Sequence, residues 1–274
     1  MAWVPVILLI LLPMVSADDL LTATDAPLGY QCRTAINLYS SPDLTSLATQ
    51  AIAGRQLRIL SSPQGAEAIA VPVCLVEDDY PGWLAMEDLP RLESVETPYK
   101  AIAPSATTIQ TQMPAVVTIL LNWMNRPNRY LWGGTAGPNY DCSGLMQAAF
   151  MTLGIWLPRD AYQQADFTRA ALPQTWLAEL PPAGVPDDWF QPLQLGDLVF
   201  FGTPERITHV GFYLGDRYYL HSSGESQGRN GIGIDRLTPD ENSISTAYYT
   251  QLRGAGRITQ SYQPTGQPQW RSRP

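Results

Sequence analysis

The chain has 274 residues, of which 45% are hydrophobic and 15% charged, a balance that excludes a disordered or fibrous polymer and allows one large domain or two ordinary ones. Seventeen Lys and Arg against 25 Asp and Glu give a formal charge of −8; no basic run interleaves with aromatics, so nucleic acid is not an expected partner. Three cysteines are too few for a disulfide scaffold and two histidines leave little for a histidine-rich metal site, so neither metal nor cofactor is expected.

In chain order, residues 1–17 read MAWVPVILLILLPMVSA. The unbroken apolar core, Val6 to Leu12, falls short of the roughly 20 residues of a spanning helix, and Pro5 and Pro13 interrupt it. The stretch resembles a signal peptide with Val15-Ser16-Ala17 as the cleavage site, although the positive n-region is missing. A true signal places the protein in the periplasm or outside the cell. A misassigned start leaves it in the cytoplasm, and neither case gives the mature chain a stable membrane span.

Residues 27–92 are turn-rich with short alternating runs such as Leu57-Arg58-Ile59-Leu60 and Ala68 to Val73, the pattern of a small β-barrel. Residues 93–111, rich in Ser, Thr, Pro and Ala, read as a linker. In 112–265 the texture changes. Ala115 to Met124 predicts a buried helix and Asp141 to Leu153 a second. Leu198 to Phe201 and His209 to Leu214 predict strands, with a turn at Asp216-Arg217 and a return strand to His221. Helices followed by strands predict an α+β domain. Between them, 170–194 holds five prolines and reads as a surface excursion that shapes or covers a cleft; 266–274 reads as a flexible tail. Cys32 and Cys74 either pair, if the protein is exported, or are small core residues.

Cys142 is the first candidate for chemistry. Asp141 is a good N-cap, which places Cys142 in the first turn of a helix, where free N–H groups and the helix dipole favour a thiolate. Such a cysteine is either a nucleophile or a buried structural residue. Both histidines fall in one hairpin, twelve residues apart around its turn, so they lie close across an antiparallel ladder. One imidazole can take the Cys142 proton while the other fixes its tautomer. A zinc site on Cys142, His209 and His221 is the rival chemistry, disfavoured because no CxxC or HxxxH spacing is present. Tyr130 precedes Gly133-Gly134, a pair that allows close backbone approach to a substrate. Its hydroxyl is an oxyanion donor candidate beside the N–H of Cys142 or Ser143.

The ordered set Tyr130-Leu131-Trp132-Gly133-Gly134, Asp141-Cys142-Ser143-Gly144, Leu157-Pro158-Arg159-Asp160, Gly196 to Phe201, Thr208-His209-Val210-Gly211 and His221-Ser222-Ser223-Gly224 resembles the NlpC/P60 cysteine peptidases. The nearer likeness is to the cyanobacterial-type γ-D-glutamyl-L-diamino acid endopeptidases, which carry an N-terminal bacterial SH3-like domain. Glu77 to Trp83 resembles the end of that domain, and Gln227 to Asp235 also looks like this subgroup. The resemblance implies a papain-like catalytic fold behind an SH3-like barrel, with Cys142 as nucleophile, His209 as general base and acid, and His221 as orienter. It implies a murein stem peptide with a free N-terminal L-Ala, cut between γ-D-Glu and meso-diaminopimelate, in cell-wall peptide recycling or turnover.

An exposed ammonium must then be read. Asp160 is suitably charged, and Tyr80 of the first domain could close the same pocket. Arg159 meets a substrate carboxylate or supports Asp160, Ser143 bonds the substrate backbone, and Asp141 joins them in the substrate-binding set. Each has a plainer alternative: Asp160 as a helix cap, Arg159 as a structural ion pair, Tyr80 as part of a turn. Two other functions stay open, a papain-like amidase or acyltransferase on another amide or lipid substrate and a non-catalytic wall-binding protein. A monomer is expected.

Overall fold

The computed structural model describes residues 29–63, 65, 67–239 and 243–270; the candidate leader, 1–17, lies outside them. Seven short strands, β1 (Tyr30–Cys32), β2 (Ile36–Tyr39), β3 (Leu47–Ala51), β4 (Gln56–Ile59), β5 (Ala70–Leu75), β6 (Pro81–Ala85) and β7 (Leu92–Ser94), form one antiparallel sheet in the order β3-β2-β6-β5-β4-β1-β7. Alternate residues Val71, Val73 and Leu75 of β5 join Leu38, Leu57 and Leu84 in its core, the period-2 pattern of a strand with one face inward. The expected linker therefore starts too early, because Leu92 to Ser94 pair with β1. It also ends in a helix, α1 (Ala106–Thr111), whose first turn Ser105 caps through Thr108 N–H.

Cys32 and Cys74 are separate buried thiols. β4 lies between their strands, and Cys74 pairs with Arg58 while Gln31, beside Cys32, pairs with Gln56. Two strand spacings of about 4.8 Å already exceed the ~7 Å Cα reach of a disulfide.

The second domain is mixed α and β, as the sequence predicts. α2 (Met113–Met124) buries only Met113, Val116 and Leu120; the spacing i, i+3, i+7 gives one apolar stripe, so the helix is amphipathic rather than wholly buried. α3 (Cys142–Met151) is the central helix, with every residue from Cys142 to Phe150 buried. α4 (Ala161–Thr168) follows. The sheet is β8 (Leu198–Gly202), β9 (Ile207–Gly215), β10 (Tyr218–Ser223), β11 (Gly231–Arg236) and β12 (Leu252–Gly256), in the order β11-β10-β9-β8-β12, with α5 (Ser243–Tyr249) before β12. Asp216 and Arg217 take left-handed φ values of 49° and 69°, as a tight hairpin turn demands.

The two faces of this sheet bury different partners. Phe200, Val210, Phe212 and Leu220 face α3. Val199, Phe201, Tyr213 and Tyr219 face the other way and meet Leu172, Val185 and Trp189 of the proline-rich excursion. That excursion covers the outer face of the sheet and contributes nothing to the cleft at Cys142. Among the described residues, no helix is long and apolar enough to cross a membrane.

Candidate active site

Asp141 shapes the start of α3. One carboxylate oxygen accepts Gly144 N–H at 2.6 Å and the other accepts Gly133 N–H at 2.8 Å. The cap thus ties the helix to the preceding loop. Gly144 has no alternative there, since a Cβ would lie 2.1 Å from the carbonyl oxygen of Gly134. Gly133 has φ +78° and a Cβ on it would strike Leu47 of the first domain. The glycine pair makes room for protein packing rather than for a substrate.

Cys142 Sγ lies 4.0 Å from the carbonyl oxygen of Thr208 and receives the backbone N–H of Val210, the two neighbours of His209. Burial pushes its thiol up to about 12, Asp141 adds to the rise, and the backbone N–H groups and Arg159 oppose it. In the closed site desolvation outweighs the helix N-terminus, contrary to the sequence expectation of a thiolate. His209 is held well below the ordinary imidazole range by burial and by His221.

His209 Nε2 lies 2.7 Å from His221 Nδ1, and His221 Nε2 lies 2.7 Å from Asp235 Oδ2. An ionised carboxylate only accepts, so His221 carries its proton on Nε2 and presents a lone pair at Nδ1. His209 then donates from Nε2, and its Nδ1 is left bare as a base. Both ring nitrogens of His221 are spent on hydrogen bonds, which leaves no lone pair for a cation. Arg229 Nη2 reaches the same Asp235 oxygen at 2.6 Å. Tyr248 stacks on His209, ring centroids 4.3 Å apart and planes 25° from parallel, and its hydroxyl bonds Ser223.

Asp235 and Tyr248 have no place among the site residues expected from sequence. Asp235 had a signal: β11 pairs with β10 so that His221 faces Gly233, and two residues on is the diagonal position within side-chain reach. Tyr248 lay in no motif.

A cleft of about 390 Å³ opens on Cys142, lined among others by Tyr130, Trp132, Ser143, Asp160, Tyr162 and Arg206. Burial raises the phenol of Tyr130, which keeps it a proton donor. Asp160 stands at the start of α4 and caps it: Gln163 Oε1 accepts Asp160 N–H and the Asp160 carboxylate accepts the Gln163 N–H. It also takes the hydroxyl of Tyr80, 3.2 Å from Oδ1. The cap and the cleft position therefore coexist.

Arg159 is 1% exposed. Its guanidinium donates to both oxygens of Asp141 at 3.0 and 2.7 Å, to Ser143 Oγ at 3.1 Å and to Thr49 Oγ1 at 2.9 Å. The fork is engaged inside the protein, so Arg159 is spent on a buried ion pair with Asp141, a residue that also borders the cleft. Through Thr49, Arg159 also makes one of several bonds between the domains. Thr135 Oγ1 donates to the Gln50 carbonyl, and Gln147 of α3 donates to Asp78 at 2.8 Å, whose other oxygen takes Arg55.

Residues 127–253 match the NlpC/P60 family and residues 38–89 match the bacterial dipeptidyl-peptidase SH3 domain. The chain is similar to a gamma-D-glutamyl-L-lysine dipeptidyl-peptidase of Bacillus subtilis, 37% identical over 41% of this chain and 31% of that protein. It is also similar to the bifunctional muramidase/DL-endopeptidase CwlT of Bacillus subtilis, 30% identical over 52% of this chain and 40% of that protein. The murein DD-endopeptidase MepS/murein LD-carboxypeptidase of Escherichia coli is 30% identical over 36% of this chain and 44% of that one. The chain thus aligns with less than half the length of these curated relatives. It carries an NlpC/P60 domain preceded by a bacterial SH3 domain.

Proposed function

We propose that the chain is a cysteine endopeptidase that hydrolyses the γ-D-glutamyl–diaminopimelate bond of murein stem peptides with a free N-terminal L-Ala. The observation that carries this reading is the hydroxyl of Tyr80, from the first domain, on the carboxylate of Asp160, which lines the cleft that holds Cys142. A carboxylate held by a hydroxyl at the wall of the cleft suits an ammonium ion, and the first domain behind it leaves little room for a chain that continues past that nitrogen. The names of the relatives, a gamma-D-glutamyl-L-lysine dipeptidyl-peptidase and a bifunctional muramidase/DL-endopeptidase, fit the coarser class of γ-D-glutamyl bonds to a diamino acid.

Cys142 Sγ attacks the γ-carbonyl carbon as its proton passes to His209 Nδ1. The oxyanion that forms meets the N–H groups at the start of α3 and the Tyr130 hydroxyl. His209 then protonates the amine of the diamino acid, which leaves, and a thioester remains. Water, losing its proton to His209, attacks that thioester and frees L-Ala-γ-D-Glu and the thiol. His221 fixes the tautomer of His209, and Asp235 fixes that of His221. The ground state is a neutral thiol beside a neutral imidazole, so the proton moves only as the bond forms.

Two peptides test the reading: L-Ala-γ-D-Glu-diaminopimelate with a free amine, and the same stem with that amine joined to N-acetylmuramic acid. Mass spectrometry is expected to show a γ-D-Glu–diaminopimelate cut in the free peptide alone, absent in Cys142→Ala. Equal cleavage of both would overturn the amine reading and make the enzyme a wall-remodelling one. Full turnover by Cys142→Ala would overturn the mechanism.

A further inference from the structure

Residues 262–270, which include the first five residues of the expected flexible tail, are bound along the junction of the two domains. Their anchor is Asp79, the residue before Tyr80. Its side chain is fully buried, and its backbone sits in the left-handed region at φ +54°. Oδ2 accepts the Thr265 hydroxyl at 2.9 Å, the Tyr262 hydroxyl at 3.2 Å and the Thr265 N–H; Oδ1 accepts the Gly266 N–H at 3.1 Å. Gly266 has φ +78°, which turns two successive N–H groups toward one carboxylate, a backbone nest of the kind that binds anions. Arg58 of β4 donates to the Gly266 carbonyl at 2.7 Å. Further along, Gln269 N–H donates to the Asp79 carbonyl at 3.0 Å, and its side-chain oxygen accepts Gln163 Nε2 at 3.2 Å.

Gln163 is the residue that completes the cap on Asp160. The segment is thus fastened to the neighbour of Tyr80 at one point and to the capping partner of Asp160 at another. We infer that residues 262–270 are a strap that sets the Tyr80–Asp160 pair at its working separation, with Asp79 as a positioning residue for recognition of the substrate's amine. The inference rests on the reading of Tyr80 and Asp160 given above. Asp79 touches neither substrate nor the reacting atoms. A buried carboxylate with four donors on it is costly to leave half-satisfied, which makes it a firm anchor.

The test uses the full chain with Asp79→Asn, Gln269→Ala, Thr265→Ala and the conservative Thr265→Ser. An amide nitrogen in place of one Asp79 oxygen turns a donor toward the donors of the strap. The expected result is a KM for the free peptide raised about tenfold in Asp79→Asn, with kcat within about twofold, since the thiol and its bases are untouched. Thr265→Ala should shift KM the same way and Thr265→Ser should restore it. A fall in kcat at constant KM, or unchanged constants in both Asp79→Asn and Gln269→Ala, would overturn the inference.

Amide hydrogen exchange provides an arm independent of turnover. Asp79→Asn should speed exchange at Tyr80 and across Ala161 to Gln164 while α3 keeps its protection. If the parent protein cleaves neither peptide, the function proposed above fails while this arm still decides the strap: faster exchange at both places supports it, and unchanged exchange removes it. Should Asp79→Asn fail to fold, Thr265→Ala and Gln269→Ala carry the same comparison.

Discussion

Replacing Asp235 by Ala removes a group that touches neither the thiol nor the substrate cleft, yet it should cost most of the activity. His221 is fully buried, and its Nε2 has Asp235 Oδ2 as its acceptor at 2.7 Å. Without that acceptor the ring can carry its proton on either nitrogen. With the proton on Nδ1, it faces His209 Nε2 as a donor, and His209 must then hold its own proton on Nδ1, the nitrogen proposed as the base, where it cannot accept another. A charge-assisted hydrogen bond in a buried site is worth about 1.5–3 kcal/mol. Tautomer loss and loss of the carboxylate act on the same imidazolium, so about 3 kcal/mol, or roughly a hundredfold in kcat, is the expected fall, with KM unchanged. Asp235→Asn should fall less, about tenfold, because the amide oxygen can still accept from both His221 and Arg229. The assay is kcat and KM on L-Ala-γ-D-Glu-diaminopimelate, beside the fraction of Cys142 titratable with a thiol reagent in unfolded protein. A kcat for Asp235→Ala within twofold of the parent would refute the relay.

Arg159→Met leaves the Asp141 carboxylate buried beside an apolar side chain and should lower unfolding stability by about 3–5 kcal/mol. Urea melts measure this, and a loss under 1 kcal/mol would mean that the ion pair is not what joins the loop, α3 and the first domain. Gly144→Ala places a methyl 2.1 Å from a backbone oxygen and should cost about 3 kcal/mol or more; a normal circular-dichroism melt would contradict that contact. Both histidines are lowered in the fold, mainly by burial. The unfolded chain therefore binds protons that the folded one refuses. The stability this gives is complete above about pH 6.5 and is lost as pH falls below it, by up to about 1.4 kcal/mol per pH unit for each histidine. Denaturation at pH 7.5, 6.5 and 5.5 should show that slope, and a His221→Gln variant should flatten it; equal slopes in both would remove the histidines as its source.

Much of the candidate site was legible because its signals are local. An Asp before a Cys and an apolar run marks a capped helix start, since the cap bond spans only three residues. Two histidines around one turn must meet across a ladder because a hairpin fixes its own register. The α+β texture and the small barrel followed from period and turn residues in the same way. The signals that misled were those whose meaning depends on a distant partner. Arg159 looked available for a carboxylate, but Asp141, eighteen positions earlier, takes its fork. The glycines at 133 and 134 looked like room for a substrate, while the space goes to Leu47 and to the carbonyls of Asn139 and Leu131.

The amino-acid order by itself determined the helix that carries Cys142, the hairpin that carries His209 and His221, and the apolar faces that each element buries, because propensity, capping and periodicity act over a few residues. Tertiary structure alone decided that burial lifts the Cys142 thiol, that Asp235 stands behind His221, that Tyr80 reaches Asp160, and that Asp79 binds the segment after Ile258. Desolvation and long-range hydrogen bonds belong to the assembled interior, and no short window of sequence contains them.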